Sequence, residues 1–110
     1  MGFSNLIANK VLASTNNYTQ GRNGYKVCKI TPHHAAGVIS AEQLAKIFQN
    51  PSRQASANYC IGNDGTIVGG VDENNRAWTS SSRSNDFQSI TIEISNSQTG
   101  GNWPISDAAW

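Results

Sequence analysis

The chain has 110 residues, a formal net charge of +1, 37% hydrophobic residues and 14% charged ones. That length holds one domain, able to bury roughly 65% of the surface its unfolded chain exposes. The charge leaves no basic stripe for nucleic acid and no acidic tail, and no apolar run nears the ~18 residues of a membrane span. Partners are therefore expected among uncharged or mildly charged polymers and small molecules, with no nucleic acid and no membrane.

The opening "MGFSNLIANK" lacks a basic region followed by a long apolar run, so no signal peptide is read and synthesis in the cytoplasm is expected. Leu6 stands where a myristoylation signal wants Ser or Thr. Residues 1–25, with "STNNYTQGRNG", read as a polar arm over the surface. "YKVCKIT", residues 25–31, is rich in strand formers and bounded by Gly24 and Pro32, which predicts a strand. Cys28 and Cys60 both lie in apolar stretches and are expected as buried thiols. Neither has a second Cys or His at short spacing, which argues against a metal pair; a disulfide stays open.

His33 and His34 are the only histidines. Successive side chains on an extended segment point to opposite sides, so the two should not share one metal: one faces a site and the other packs behind it. Taken alone, such a pair at a strand end is more often structural than metal-binding.

"SAEQLAKIFQNP" is the clearest helix. Ser40 caps it, Gln43 stands at the capping-box position, Leu44, Ile47 and Phe48 share a face, and Pro51 ends it. "ANYCIGNDGTIVGGV", residues 57–71, predicts a hairpin turning at residues 63–65. Trp78 is core packing or a platform for a sugar ring. Asp64, Asp72, Glu73 and Asp86 read as turn or loop acids, and Lys26, Lys29, Arg53, Arg76 and Arg83 as a solvated surface.

In "SITIEISN", residues 89–96, Ile90, Ile92 and Ile94 share one face, expected toward the core, and Thr91, Glu93 and Ser95 share the other. Glu93 is then either a solvent-facing carboxylate or a general base in a cleft. "SDAAW" reads as the first turn of a further helix capped by Ser106, inside which the given sequence stops, so a domain cut short is expected. Strand, helix, hairpin and strand together predict an α/β domain with a mixed sheet.

"ITPHHAAG", "SANYCIGNDGTIVGGVDENNRAW" and "NDFQSITIEISN", in this order and spacing, resemble the amidase-2 type of N-acetylmuramoyl-L-alanine amidase. That superfamily also contains the peptidoglycan recognition proteins, and the likeness is greatest to prophage endolysin catalytic domains of Gram-positive hosts. It runs from about residue 26 to the end. The resemblance implies a mixed β-sheet flanked by helices, one catalytic zinc, and a groove for bacterial peptidoglycan. It places the first zinc ligand on His33, leaves His34 behind it, and puts the base toward the metal-bound water on Glu93. Asn58 and Trp78 become candidate substrate contacts.

Two departures stand out. Thr79 replaces a histidine that follows the "AW" pair in many relatives, and neither Ala57 nor Asn58 can replace a tyrosine that assists in some. The family's other zinc ligands come from a later region. The 110 residues are therefore expected to be a single, partial amidase domain with an incomplete zinc site, inactive alone and prone to self-association. The competing expectation is a non-catalytic peptidoglycan-binding module.

Overall fold

The computed structural model describes residues 2–35, 37–80, 82–98, 104–106 and 108–109. In chain order these form β1 (Asn9–Lys10), β2 (Tyr18–Thr19), β3 (Lys29–His34), α1 (Ala41–Ile47), β4 (Tyr59–Ile61), β5 (Ile67–Gly69), β6 (Arg76–Ala77), α2 (Arg83–Gln88) and β7 (Ser89–Ile94). Five strands make one mixed sheet in the order β1-β5-β4-β7-β3, and β2 with β6 makes a separate ribbon. β7 runs parallel to both neighbours, β3 and β4, whereas β4 and β5 form the antiparallel hairpin.

Local chemistry accounts for the elements that place the site. Ser40 accepts the Gln43 N–H and caps α1, which then buries Ala41, Leu44, Ala45 and Phe48. The hairpin turns through Gly65 at φ +87°, where a side chain's first carbon would also meet the Ala108 carbonyl oxygen at 2.7 Å. Glycine is required there twice over. The turn expected at 106–110 lies partly outside the described residues, but Ala109 does donate its N–H to the Ser106 hydroxyl. α2 was not expected: its polar sequence carries no helical period, and it stands on the Ser82 cap and on Phe87, which is buried.

The sheet's faces are not filled as the isoleucine pattern suggested. The main core joins α1 to Ala57, Cys60 and Val68, and Cys60 stands beside Glu93 in the ladder. The covered face is therefore the one carrying Thr91 and Glu93. Ile90 and Ile92 stand on the other, half-buried, and Ile30 beside Ile90 is 71% exposed. Among the described residues, Phe3, edge-on to the buried Tyr59 and lying over Gly69, and the buried Ile94 give that second face a small apolar layer.

The N-terminal stretch also departs from a surface arm. Val11, Ala13, Asn17 and Arg22 are buried, and β1 extends the main sheet beside β5. Arg22 donates to the carbonyls of Glu73, Asp86, Phe87 and Ser89, tying the arm to the end of α2. Both cysteines are free thiols, but only Cys60 is buried. Cys28 precedes the strand, which starts at Lys29 rather than Tyr25, and it is exposed.

Candidate active site

The register of three parallel strands assembles the centre. His33 pairs with Glu93 across β3 and β7, and Glu93 pairs with Cys60 across β7 and β4. Side chains in one row share a face, and the His33 Nδ1 lies 3.1 Å from the Glu93 Oε1. The imidazole is 52% exposed and the carboxylate 12%. Burial pushes the Glu93 carboxyl up to about 7, with His33 and then Arg53 pulling against it. A carboxyl with that affinity can both take and return a proton near neutrality. Burial, with the Glu93 carboxylate beside it, pushes the Cys60 thiol strongly up, so Cys60 is an inert packing group.

These two residues sit in a groove of about 550 Å³ whose apolar wall includes Val38, Ile39, Leu44, Ile47 and Phe48. Ile47, expected to pack with Leu44 and Phe48, is 38% exposed on this wall. Trp78 lines the groove, half-buried, with its indole N–H donating to the Thr19 hydroxyl at 2.8 Å. The side chain is thus partly packed and partly open to the groove.

His34 does not simply pack behind the strand. It lines the same groove, its ring nearly parallel to that of His33 with centroids 6.0 Å apart. His34 is the last residue of β3, the edge strand of the sheet.

Asn58 corrects an expectation: it is fully buried and is not among the groove residues. Its side-chain oxygen accepts the Thr91 N–H at 3.0 Å, and its amide donates to the Val71 carbonyl at 3.0 Å. The residue replaces ladder bonds where β4 has not yet begun, so it serves the backbone and not a ligand.

Sequence reasoning missed two supports of the site. Asp86, read as a loop acid, is fully buried in α2 and accepts from the Thr79 and Ser80 N–H groups and the Ser80 hydroxyl. Thr79 is thereby held in the groove wall, its hydroxyl donating to the Ser56 carbonyl and standing 2.8 Å from that of Thr91. The "SSSRSND" run around them has helix-capping composition, which was the available signal.

A catalytic zinc takes three protein ligands and keeps a place for water. His33 and Glu93 are donors of the right type. Among the described residues, however, no group of three His, Cys, Asp or Glu comes together, so they do not complete such a centre by themselves. No helix among the described residues is long and apolar enough to cross a membrane.

Comparison with known proteins adds the following. No curated protein matches the sequence. A mutant endolysin from Bacillus subtilis aligns with TM-score 0.67 and 22% identity, over 81% of this chain and 61% of its own. A mutant PlyL aligns with TM-score 0.64 and 20% identity, over 86% and 61%. A selenomethionine AmpD derivative aligns with TM-score 0.67 and 22% identity, over 97% and 69%. These likenesses establish the fold, and the chain spans about three-fifths of the length of the first two. The amidase-2 family model, N-acetylmuramoyl-L-alanine amidase, matches residues 23–110. The chain belongs to that family.

Proposed function

We propose that this chain carries part of the active centre of a peptidoglycan amidase. The enzyme would hydrolyse the amide between the lactyl group of N-acetylmuramic acid and L-alanine of the stem peptide, on the bacterial cell wall, as an endolysin or autolysin of phage or prophage origin does. One observation carries the reading: a buried carboxylate of raised proton affinity, 3.1 Å from a half-exposed imidazole, at the base of an open groove. Family membership over residues 23–110 supports it.

In this reading His33 is the chain's ligand to a zinc ion, which when bound supplies Lewis acidity toward the carbonyl and the attacking water. Such a centre requires further ligands that the described residues do not bring together. Glu93 accepts the proton that water loses as its oxygen bonds to the carbonyl carbon. It then delivers that proton to the departing L-alanine nitrogen as the C–N bond breaks. The apolar wall keeps bulk water from competing for the carboxylate, and Trp78 offers an aromatic face for the sugar.

The competing reading is a wall-binding module without catalysis. Product analysis separates the two. The natural full-length protein, incubated with purified walls and zinc, should release new L-alanine amino termini and no new sugar reducing ends. Tight binding to walls without any new amino terminus would establish the module instead.

A further inference from the structure

A tight turn in the N-terminal stretch joins reactive chemistry to a buried clamp. The Tyr25 N–H donates to the Arg22 carbonyl at 2.9 Å, and Asn23 and Gly24 between them stand at φ +52° and +81°. Two positive φ values in succession are the type I′ geometry that an Asn-Gly pair suits. Asn23 is the one asparagine of the sequence that glycine follows. Both residues are exposed, and neither the Asn23 side-chain amide nor the Gly24 N–H forms a hydrogen bond among the described residues. Nothing lies within 4 Å of the point where a side chain on Gly24 would begin. The Gly24 nitrogen is thus shielded by neither a side chain nor a partner. Rotation of the Asn23 side chain about its own bonds brings its carboxamide carbon to that nitrogen.

The flanks of the turn are anchored. Arg22 is 7% exposed and donates to the carbonyls of Glu73 at 2.7 Å, Asp86 at 3.1 Å, Phe87 at 3.0 Å and Ser89 at 2.9 Å. Tyr25 stacks on the buried ring of Phe87, with centroids 5.5 Å and planes 13° apart. Both flanks are therefore seated against α2 and the first residue of β7. A two-residue turn between two such anchors has no slack.

We propose that Asn23–Gly24 is a self-modification site whose isoaspartyl product loosens the Arg22 clamp. The Gly24 nitrogen bonds to the Asn23 carboxamide carbon and gives up its proton, and the amide nitrogen leaves with that proton as ammonia. A five-membered imide results. Water then opens the imide at either carbonyl, giving aspartate or isoaspartate. Both products place a carboxylate in the turn, but isoaspartate also adds a methylene to the main chain. That lengthening draws Arg22 from its carbonyls or Tyr25 from Phe87.

The test holds the natural full-length protein in mildly alkaline buffer and maps it by mass spectrometry over time. A synthetic peptide of residues 20–27 gives the rate without the fold. Amide-to-acid exchange should appear first in the fragment that carries residues 23 and 24, and Asn23→Gln should abolish it there. The isoaspartyl fraction, isolated by ion exchange, should melt roughly 3 °C below fresh protein. Asn23→Asp carries the charge without the longer backbone and should melt close to the wild type. No exchange at residue 23 after many lifetimes of the free peptide, or earlier exchange at another asparagine, would overturn the site. An isoaspartyl fraction that melts no lower than Asn23→Asp would overturn the loosened clamp.

Discussion

The two faces of the five-stranded sheet do different work with an inverted distribution of residues. The face under α1 holds the main core, and also the fully buried hydroxyl of Thr91 and the carboxylate of Glu93. The other face carries the isoleucines of β7, yet Ile30 beside them is largely exposed. Polar groups can occupy the covered face because each is answered: Thr91 by Asn58 and Thr79, Glu93 by His33. Buried polar groups are tolerated when they are partnered, and burial on this face is what raises the proton affinity of Glu93.

Breaking the covered face should cost most. Phe48→Ala empties a side chain that is only 4% exposed beneath the groove, and is expected to destabilise by about 3–5 kcal/mol in denaturant titrations. A loss under 1 kcal/mol would mean that α1 does not anchor the core.

The next effect tests Glu93 through pH. Its folded proton affinity is raised, to about 7, above the roughly 4.3 of an unfolded glutamate. The stability it contributes is therefore complete below about pH 4 and disappears as pH rises through about 7, a change on the order of 3 kcal/mol. In metal-free protein, Glu93→Gln should flatten that decline and melt higher than the wild type at pH 8. Identical pH profiles for the two would place Glu93 in a solvated setting.

Asn17→Ala strips three hydrogen bonds from the loop after α1 and should cost about 2 kcal/mol. On the open face, Ile30→Ser should stay within roughly 0.5 kcal/mol of the wild type in the same titration. A large loss there would show that the isoleucine face is covered in solution.

Much of this was legible in the sequence. α1 and its cap, the hairpin with its glycine turn, and the opposition of Glu93 to Ile90, Ile92 and Ile94 all follow from period and turn chemistry, which act over a few residues. Alternation fixes which residues share a face, but it cannot say which face a distant helix will cover. That choice depends on packing between α1 and the β4–β5 hairpin, so the isoleucines were assigned the wrong side. Asn17, Arg22 and Asp86 were read as surface or loop residues for the same reason: their partners lie at the end of α1, at the end of α2 and in the Thr79–Ser80 loop. His33 and Glu93 were legible through motif resemblance, whereas Asn58 was carried over to a role that its burial excludes.

The central claim is that Glu93 moves the proton in amide hydrolysis beside His33. Release of L-alanine amino termini from purified walls by the natural full-length protein, compared with its Glu93→Gln variant at equal zinc loading, tests it most directly. The account predicts a loss of at least about 10²-fold in kcat with KM little changed, in a variant that melts no lower than the wild type. A Glu93→Gln enzyme that keeps wild-type turnover would contradict it.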